Sequence, residues 1–205
     1  MSNEISTLIE TRISTNHYDP DRPLSDAEIG ELVRLATRAP SAFNLQNWKF
    51  IAVRTREAKE RLKAVAFGQQ KVVDAAVTFI VCGTLSPHDG LPHALQPSAD
   101  AGVVPQPVVD SWVEMAKGMY AGNLQFQRDE AIRSASLAAM TLMFAAEGRG
   151  LASGPMIGFD AAGVAREFGL SALDVPAMLL TVGYAKAGNW PQKPRRPLHE
   201  VIAFA

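Results

Sequence analysis

Arg12, Ser14 and Asn16 stand at alternate positions just after a short amphipathic stretch. In an extended segment such residues project to one side. Together they would present a guanidinium fork, a hydroxyl and an amide, a set suited to a phosphate and to a polyol or heterocycle. A plainer reading is that Arg12 complements the C-terminal end of a helix dipole. The second group is Ala39-Pro40-Ser41-Ala42-Phe43-Asn44-Leu45-Gln46-Asn47-Trp48. It leaves a helix through Pro40 and crowds Ser41, Asn44 and Gln46 beside apolar anchors. Ligand loops have that composition, and so do simple helix-to-strand connections.

Other signatures lack their context. Gly148, Gly150 and Gly154 have neither the spacing nor the preceding strand of a dinucleotide fingerprint, and there is no P-loop. Ser41 lacks an evident His and Asp partner. Cys82 lies in an apolar run, where a thiol is inert rather than nucleophilic. His88, Asp89 and His93 fall in a loop-like stretch that implies no fixed metal geometry.

These groups must be positioned by a chain of 205 residues, long enough to bury roughly 70% of its unfolded surface without disulfides or metals. Twenty basic against 21 acidic side chains leave a formal charge of −1, which supplies no electrostatic reason for a nucleic-acid or anionic-membrane partner. The single cysteine excludes an internal disulfide. The polar start, MSNEISTLIE, lacks a signal-peptide core, and no apolar run reaches membrane-span length. The expectation is a cytoplasmic protein.

Ile5, Leu8 and Ile9 have helical spacing up to Arg12. Ser25 and Glu28 form a capping box before the stripe Ile29, Leu32, Val33, Ala36, and Pro40 ends that helix. Residues 48–53 read as a strand, 56–66 as a helix with Ala58, Leu62 and Val65 on one face, and 75–82 as a strand buried on both faces. Five prolines and two glycines in 86–107 predict a long loop. Helices follow over 108–120 and 130–148. The second is apolar nearly all round and must be buried in a core or a subunit interface. Asp160 caps a short helix to Phe168, and 176–184 is another buried strand. The tail 189–205 ends too apolar (VIAFA) to be solvated. Long helices and few strands give an α+β class, a small sheet covered by helices.

Five segments in order, Arg12-x-Ser14-x-Asn16, APSAFNLQNW, GQQKVVDA at 68–75, GPMIGFD at 154–160 and KPRRPLHEV at 193–201, resemble the nitroreductase family of FMN-dependent oxidoreductases. The resemblance covers essentially the whole chain. It implies one FMN-binding domain over 1–205 and a mainly antiparallel sheet flanked by helices. It also implies an intertwined homodimer with an extended C-terminal arm and an FMN in each of two interface clefts. Carried over, Arg12 and Ser14 contact the phosphate and ribityl chain, and Asn16 replaces a usually basic residue. Pro40, Ser41, Ala42 and Asn44 come from the partner subunit, with Gln46-Asn47-Trp48 standing where Gln-Pro-Trp is common. Gln69 and Lys71 lie at the pyrimidine edge, where Gly68 replaces a frequent Asn. The turn Pro155-Met156-Ile157-Gly158 turns backbone amides to the N5 region. Lys193 and Arg195 meet the phosphate, with Arg196 as the neighbouring candidate.

The implied activity passes hydride from NADH or NADPH through FMN to a nitroaromatic, quinone or similar small-molecule acceptor by a ping-pong mechanism. No side chain is given a catalytic acid–base role, and no metal is needed. Flavin reductase, dehalogenase, enoyl-type reductase and dehydrogenase chemistry are alternatives within the family; a flavin-binding protein without turnover is the alternative outside catalysis. Residues 86–126, with Trp112, Met115, Met119, Tyr120 and Phe126, are the candidate substrate lid.

Overall fold

The computed structural model describes residues 4–205. In chain order its elements are α1 (Glu4–Thr11), α2 (Asp26–Ala36), β1 (Trp48–Val53), α3 (Arg56–Val65), α4 (Lys71–Asp74), β2 (Val77–Thr84), α5 (Pro87–Asp100), α6 (Gln106–Tyr120), α7 (Leu124–Glu147), β3 (Ala152–Met156), α8 (Ala161–Glu167) and β4 (Asp174–Gly183). The strands form one antiparallel sheet in the order β1-β2-β4-β3. The two most apolar runs of the chain, β2 and β4, are therefore the central strands. Both faces of β2 are covered, as its unbroken hydrophobicity requires.

Alternation along β2 sorts the core into two layers. Val77, Phe79 and Val81 pack with Leu32 and Ala36 of α2 and with Ala135, Ala139 and Leu142 of α7. Ile80 and Cys82 face the other way, toward Leu62 of α3 and Val164 of α8. Burial pushes the Cys82 thiol up to about 12, with Asp174 adding to the effect, so the thiolate is absent at neutral pH. α7 crosses β2 very closely: a Cβ on Gly83 would lie 2.0 Å from the Ala131 carbonyl oxygen. Only a residue without a side chain lets helix and sheet approach to this distance.

The capping box of α2 is formed. The Ser25 hydroxyl accepts from the Glu28 amide, and the Glu28 carboxylate accepts from the Ser25 amide at 2.8 Å. Asp160 begins α8 as expected, although its side chain makes no cap hydrogen bond, and Gly169 follows the helix at φ +62.

Three expectations need correction. The stretch 86–107 is no loop: it contains α5 and the start of α6. Pro87 occupies the first turn, where a missing N–H costs nothing. Leu91 and Leu95 are buried one turn apart in a third core cluster with Leu45, Val109, Ala116 and Tyr120, and Ala99 packs against it. That burial outweighs the unfavourable Pro92 and Pro97, which lie on the outward face. Second, residues 152–156 form the strand β3, so Pro155 and Met156 belong to a strand and only Ile157 and Gly158 lie beyond it. β3 is an edge strand, where a proline is tolerated. Third, α7 starts at Leu124, six residues earlier than its apolar stretch predicts, and its outer face is not covered: Leu137 remains 41% exposed.

Candidate functional site

The segment after α1 runs along the edge strand β3. Ser14 bridges to Ser153, and the Thr15 amide donates to the Ser153 carbonyl at 2.9 Å. Thr15 turns inward and is buried, while Ser14 is exposed and Arg12 and Asn16 are partly so. The alternation expected from sequence is thus realised by pairing to β3. Lys71, at the start of α4, reaches this segment: its Nζ donates to Asn16 Oδ1 at 3.1 Å. Lys71 is half-buried with no carboxylate partner among the described residues, and burial lowers its pKa. Gln69 donates from Nε2 to the Gly158 carbonyl at 2.7 Å, tying the end of β3 to the approach to α4. Ile157 stands 83% exposed at this rim, whereas Met156 points into the core.

The tail returns to the same place. Gln192 Nε2 donates to the Arg12 carbonyl at 2.9 Å, and Gln192 Oε1 accepts from Arg195 at 2.8 Å. Arg12 and Arg195 line a cleft of about 440 Å3 with Ile9, Glu10, Met140, Phe144 and Gln192. Among the described residues no carboxylate is in ion-pair contact with either guanidinium. Arg196 differs, since it is paired with Glu200 at 2.9 Å. Arg195 instead bonds, among the described residues, only to neutral groups, Gln192 Oε1 and the Lys193 carbonyl. Lys193 lies over the Trp190 ring, 5.3 Å from its centroid. Arg12 also opposes the upward shift that burial imposes on the Glu147 carboxyl.

The other half of the expected site is elsewhere. Pro40, Ser41, Ala42 and Asn44 precede β1, whose first residue, Trp48, pairs with Gly83 at the far end of β2. Ser41 Oγ accepts from the Gln46 amide at 2.9 Å. Phe43, Asn44 and Gln46 all have positive φ, near 50–60°, costly for residues with side chains, so the surrounding structure must hold this loop in shape. Leu45 plugs into the third core cluster, and Phe43 meets Trp112 edge-on at 6.4 Å. Asn44 and Gln46 are left pointing outward. Asn47, in place of the more usual proline, is 4% exposed and donates to the Thr84 carbonyl at 3.2 Å.

The Arg12–Asn16 segment sits at the end of the sheet where Ser153 pairs with Val182, and Val182 pairs with Val77. The Ser41–Asn44 loop sits where β2 ends, at Thr84 opposite Asp174. Seven strand steps of about 3.3 Å separate the two ends, roughly 20 Å. The two expected groups of site residues therefore lie at opposite ends of one chain's sheet.

Sequence reasoning missed Asn189 and Gln192, which join the tail to the Arg12–Asn16 segment. No local pattern marks them, because their partners are more than 170 residues away. In the suspected lid, Tyr120 is buried and Trp112 and Phe126 pack beside it as core, whereas Met115 and Met119 are 47% and 43% exposed.

Comparison with known proteins places the sequence and the fold. Residues 9–184 match the model of the nitroreductase family. The chain is 34% identical to YodC of Bacillus subtilis, provisionally named an NAD(P)H nitroreductase, over 100% of both chains. A crystal structure from Bacillus subtilis described as a nitroreductase, ydfN, superposes with a TM-score of 0.92 at 32% identity, covering 98% of this chain and 99% of that one. A second, from Exiguobacterium sibiricum and described as a complex with FMN, superposes with a TM-score of 0.92 at 27% identity, covering 100% and 99%. With its fold, the family model and its relatives in agreement, this chain belongs to the nitroreductase family.

Proposed function

We propose that the protein is an FMN-dependent NAD(P)H oxidoreductase, a homodimer in which each flavin is held between a cationic rim of one protomer and the Ser41–Asn44 loop of the other. The observation that carries this is the rim itself. Gln192 joins Arg195 to the Arg12 backbone and Asn16 receives Lys71 on the same segment, and none of the three cations is in ion-pair contact with a carboxylate among the described residues. Such a set is poorly balanced by itself and well balanced by an anionic ligand. The guanidiniums of Arg12 and Arg195 suit a phosphate dianion. The Lys71 ammonium, bonded to Asn16 farther along the same segment, suits the pyrimidine edge of a flavin, where negative charge develops on reduction.

The dimer is supported by what one chain leaves uncovered. Ile9 of α1 is 53% exposed and Leu137 of α7 41%. In the tail Leu198, Val201 and Phe204 are 70%, 60% and 91% exposed. Exposed apolar side chains of this kind would be covered by a second copy. A second copy would bring its Ser41–Asn44 loop to a rim that this chain's own loop cannot reach.

Bound FMN would supply the two-electron chemistry, taking hydride from NADH or NADPH and passing it to a nitroaromatic, a quinone or a similarly electron-poor acceptor in alternate half-reactions. The protein's residues bind, orient and tune. Arg12 and Arg195 hold the phosphate, Ser14 offers a hydroxyl to the ribityl chain, and Asn16 keeps the Lys71 ammonium in place. Gln69, fixed to Gly158, and the backbone of Pro155–Gly158 would help hold the flavin, with exposed Ile157 beside it limiting access from solvent. The Asn44 amide supplies a hydrogen bond from the partner, beside Pro40, Ser41 and Ala42. Lys193 adds positive charge near the phosphate end.

The test is direct. The purified protein is a yellow dimer whose acid-released flavin is FMN and not FAD. Anaerobic NADH or NADPH bleaches it, and a nitroaromatic or quinone restores the colour. A colourless monomer that ignores added FMN refutes the reading. A yellow protein that neither nicotinamide bleaches is a flavin-binding protein without this turnover.

A further inference from the structure

We infer that Asn189 is a positioning residue of the cationic rim: it sets the Asn16 side chain, and through it the Lys71 ammonium, while anchoring the tail that carries Arg195. The inference rests on the proposed FMN site. Asn189 follows Gly188, whose φ of +100 turns the chain back toward residues 16–17. Its carboxamide is then fully used. Oδ1 accepts from the Asn16 amide at 2.7 Å and from the His17 amide at 3.0 Å. Nδ2 donates to the His17 carbonyl at 2.9 Å and to the Lys186 carbonyl at 2.9 Å. Only a carboxamide offers one acceptor and two donors on so short a stem.

The consequence lies one bond further on. The backbone that Asn189 grips is that of Asn16, whose Oδ1 receives the Lys71 ammonium at 3.1 Å. Three residues beyond Asn189, Gln192 grips the Arg12 carbonyl and the Arg195 guanidinium. A four-residue stretch thus couples the phosphate end of the rim to the Lys71 end. Between Arg12 and His17, the segment's other long-range backbone bonds are those of the Thr15 amide to the Ser153 carbonyl, of the Lys186 amide to the His17 carbonyl and of Gln192 to the Arg12 carbonyl, and none of them holds Asn16 itself. Without Asn189, residues 16–17 would keep the Lys186 bond to the His17 carbonyl but lose three others, among them the bond on the Asn16 amide, so the Lys71 acceptor would be held less firmly.

A purely structural clamp would lower stability and nothing else. A positioning role moves the flavin's redox balance, because Lys71 favours the reduced, negatively charged form over the oxidised one. Asn189→Ala and Asn189→Gln should be compared with the wild type for affinity toward added FMN and for the midpoint potential of bound flavin. Each is repeated in a Lys71→Met background. Asn189→Ala should weaken oxidised FMN about tenfold and reduced FMN by about another tenfold. That extra factor lowers a two-electron potential by about 30 mV. Asn189→Gln, with the same group on a longer stem, should give part of that change and covers a failure of the alanine variant to fold. In the Lys71→Met background the potential shift should vanish. In flavin-free protein, trypsin should cut after Arg195 faster in Asn189→Ala.

Unchanged affinity and potential in Asn189→Ala would overturn the inference and leave the proposed function standing. A potential shift that persists without Lys71 would also overturn it. Failure of the wild type to bind FMN would instead refute the proposed function, on which the inference depends.

Discussion

Lys71→Met should do opposite things to the empty and the loaded protein. In the empty protein the ammonium is half-buried, bonded to one neutral amide oxygen, and its pKa is lowered by burial. A lowered lysine pKa means that the folded state holds its proton less tightly than the unfolded chain. The penalty is in full force below the folded-state value and is relieved as pH rises toward 10.5, the ordinary value. Methionine, similar in length and uncharged, removes it. Against this stands the lost bond to Asn16, worth about 1.5–3 kcal/mol when charged. Asn16 is only partly buried and water can take the place of the ammonium there, so little of that loss should survive. Empty Lys71→Met should therefore melt within a few degrees of the wild type or above it, about 2–4 °C per kcal/mol at this chain length. Its stability should also rise less as pH climbs toward the ordinary lysine value. Lys59, buried and shifted in the same direction, keeps the slope from vanishing. In the loaded protein the sign reverses: one charge-assisted contact is lost, roughly ten- to a hundredfold in affinity. Reduced flavin should suffer more than oxidised. Paired thermal melts with and without FMN, read at pH 7 and pH 9.5, check both halves. A variant clearly less stable when empty, yet unchanged in FMN affinity and potential, would show that Lys71 is only a structural lysine.

Arg12→Ala should release FMN on dilution, while Arg12→Lys should restore only part of the binding, because an ammonium keeps the charge and loses the planar fork; full rescue by lysine in an equilibrium-dialysis titration would reduce Arg12 to a helix-end cation. Asn44→Ala should weaken FMN by about 1 kcal/mol, the value of a neutral hydrogen bond, while the empty protein loses only the stability that alanine's strain costs at the left-handed φ that asparagine tolerates; a destabilised empty protein with unchanged FMN affinity would make the loop merely structural. Gly83→Ala should destabilise by about 3 kcal/mol or more, at the upper end of overpacking costs, because the new methyl meets the Ala131 backbone and not a movable side chain; a denaturant midpoint within error of the wild type would refute the close crossing of α7.

Periodicity alone located β1, β2, β4 and the cores of α2, α3, α6 and α7, because each has a buried face that the pattern must record. Capping chemistry placed the start of α2 to the residue, since Ser25 and Glu28 satisfy each other locally. The chemistry of the rim was legible too: Arg12, Ser14 and Asn16 at alternate positions, and basic residues in the tail. What local pattern misread was decided by distant packing. Five prolines over 86–107 announce a loop, and α5 forms because Leu91 and Leu95 find a pocket made by Leu45, Val109 and Tyr120. β3, short and containing Pro155, reads as a turn until β4 pairs with it. The separation of the two expected groups of site residues is also tertiary. Sequence puts Asn44 nearer to Arg12 than to Arg195, yet the sheet holds Asn44 at the opposite end from both, and Asn189 folds the tail back across more than 170 residues to meet Asn16. Local sequence determines which groups a segment can offer, because hydrogen bonding and helix or strand period act over a few residues. Which groups meet depends on strand register and on single long-range side-chain bonds, and those exist only once the core has closed.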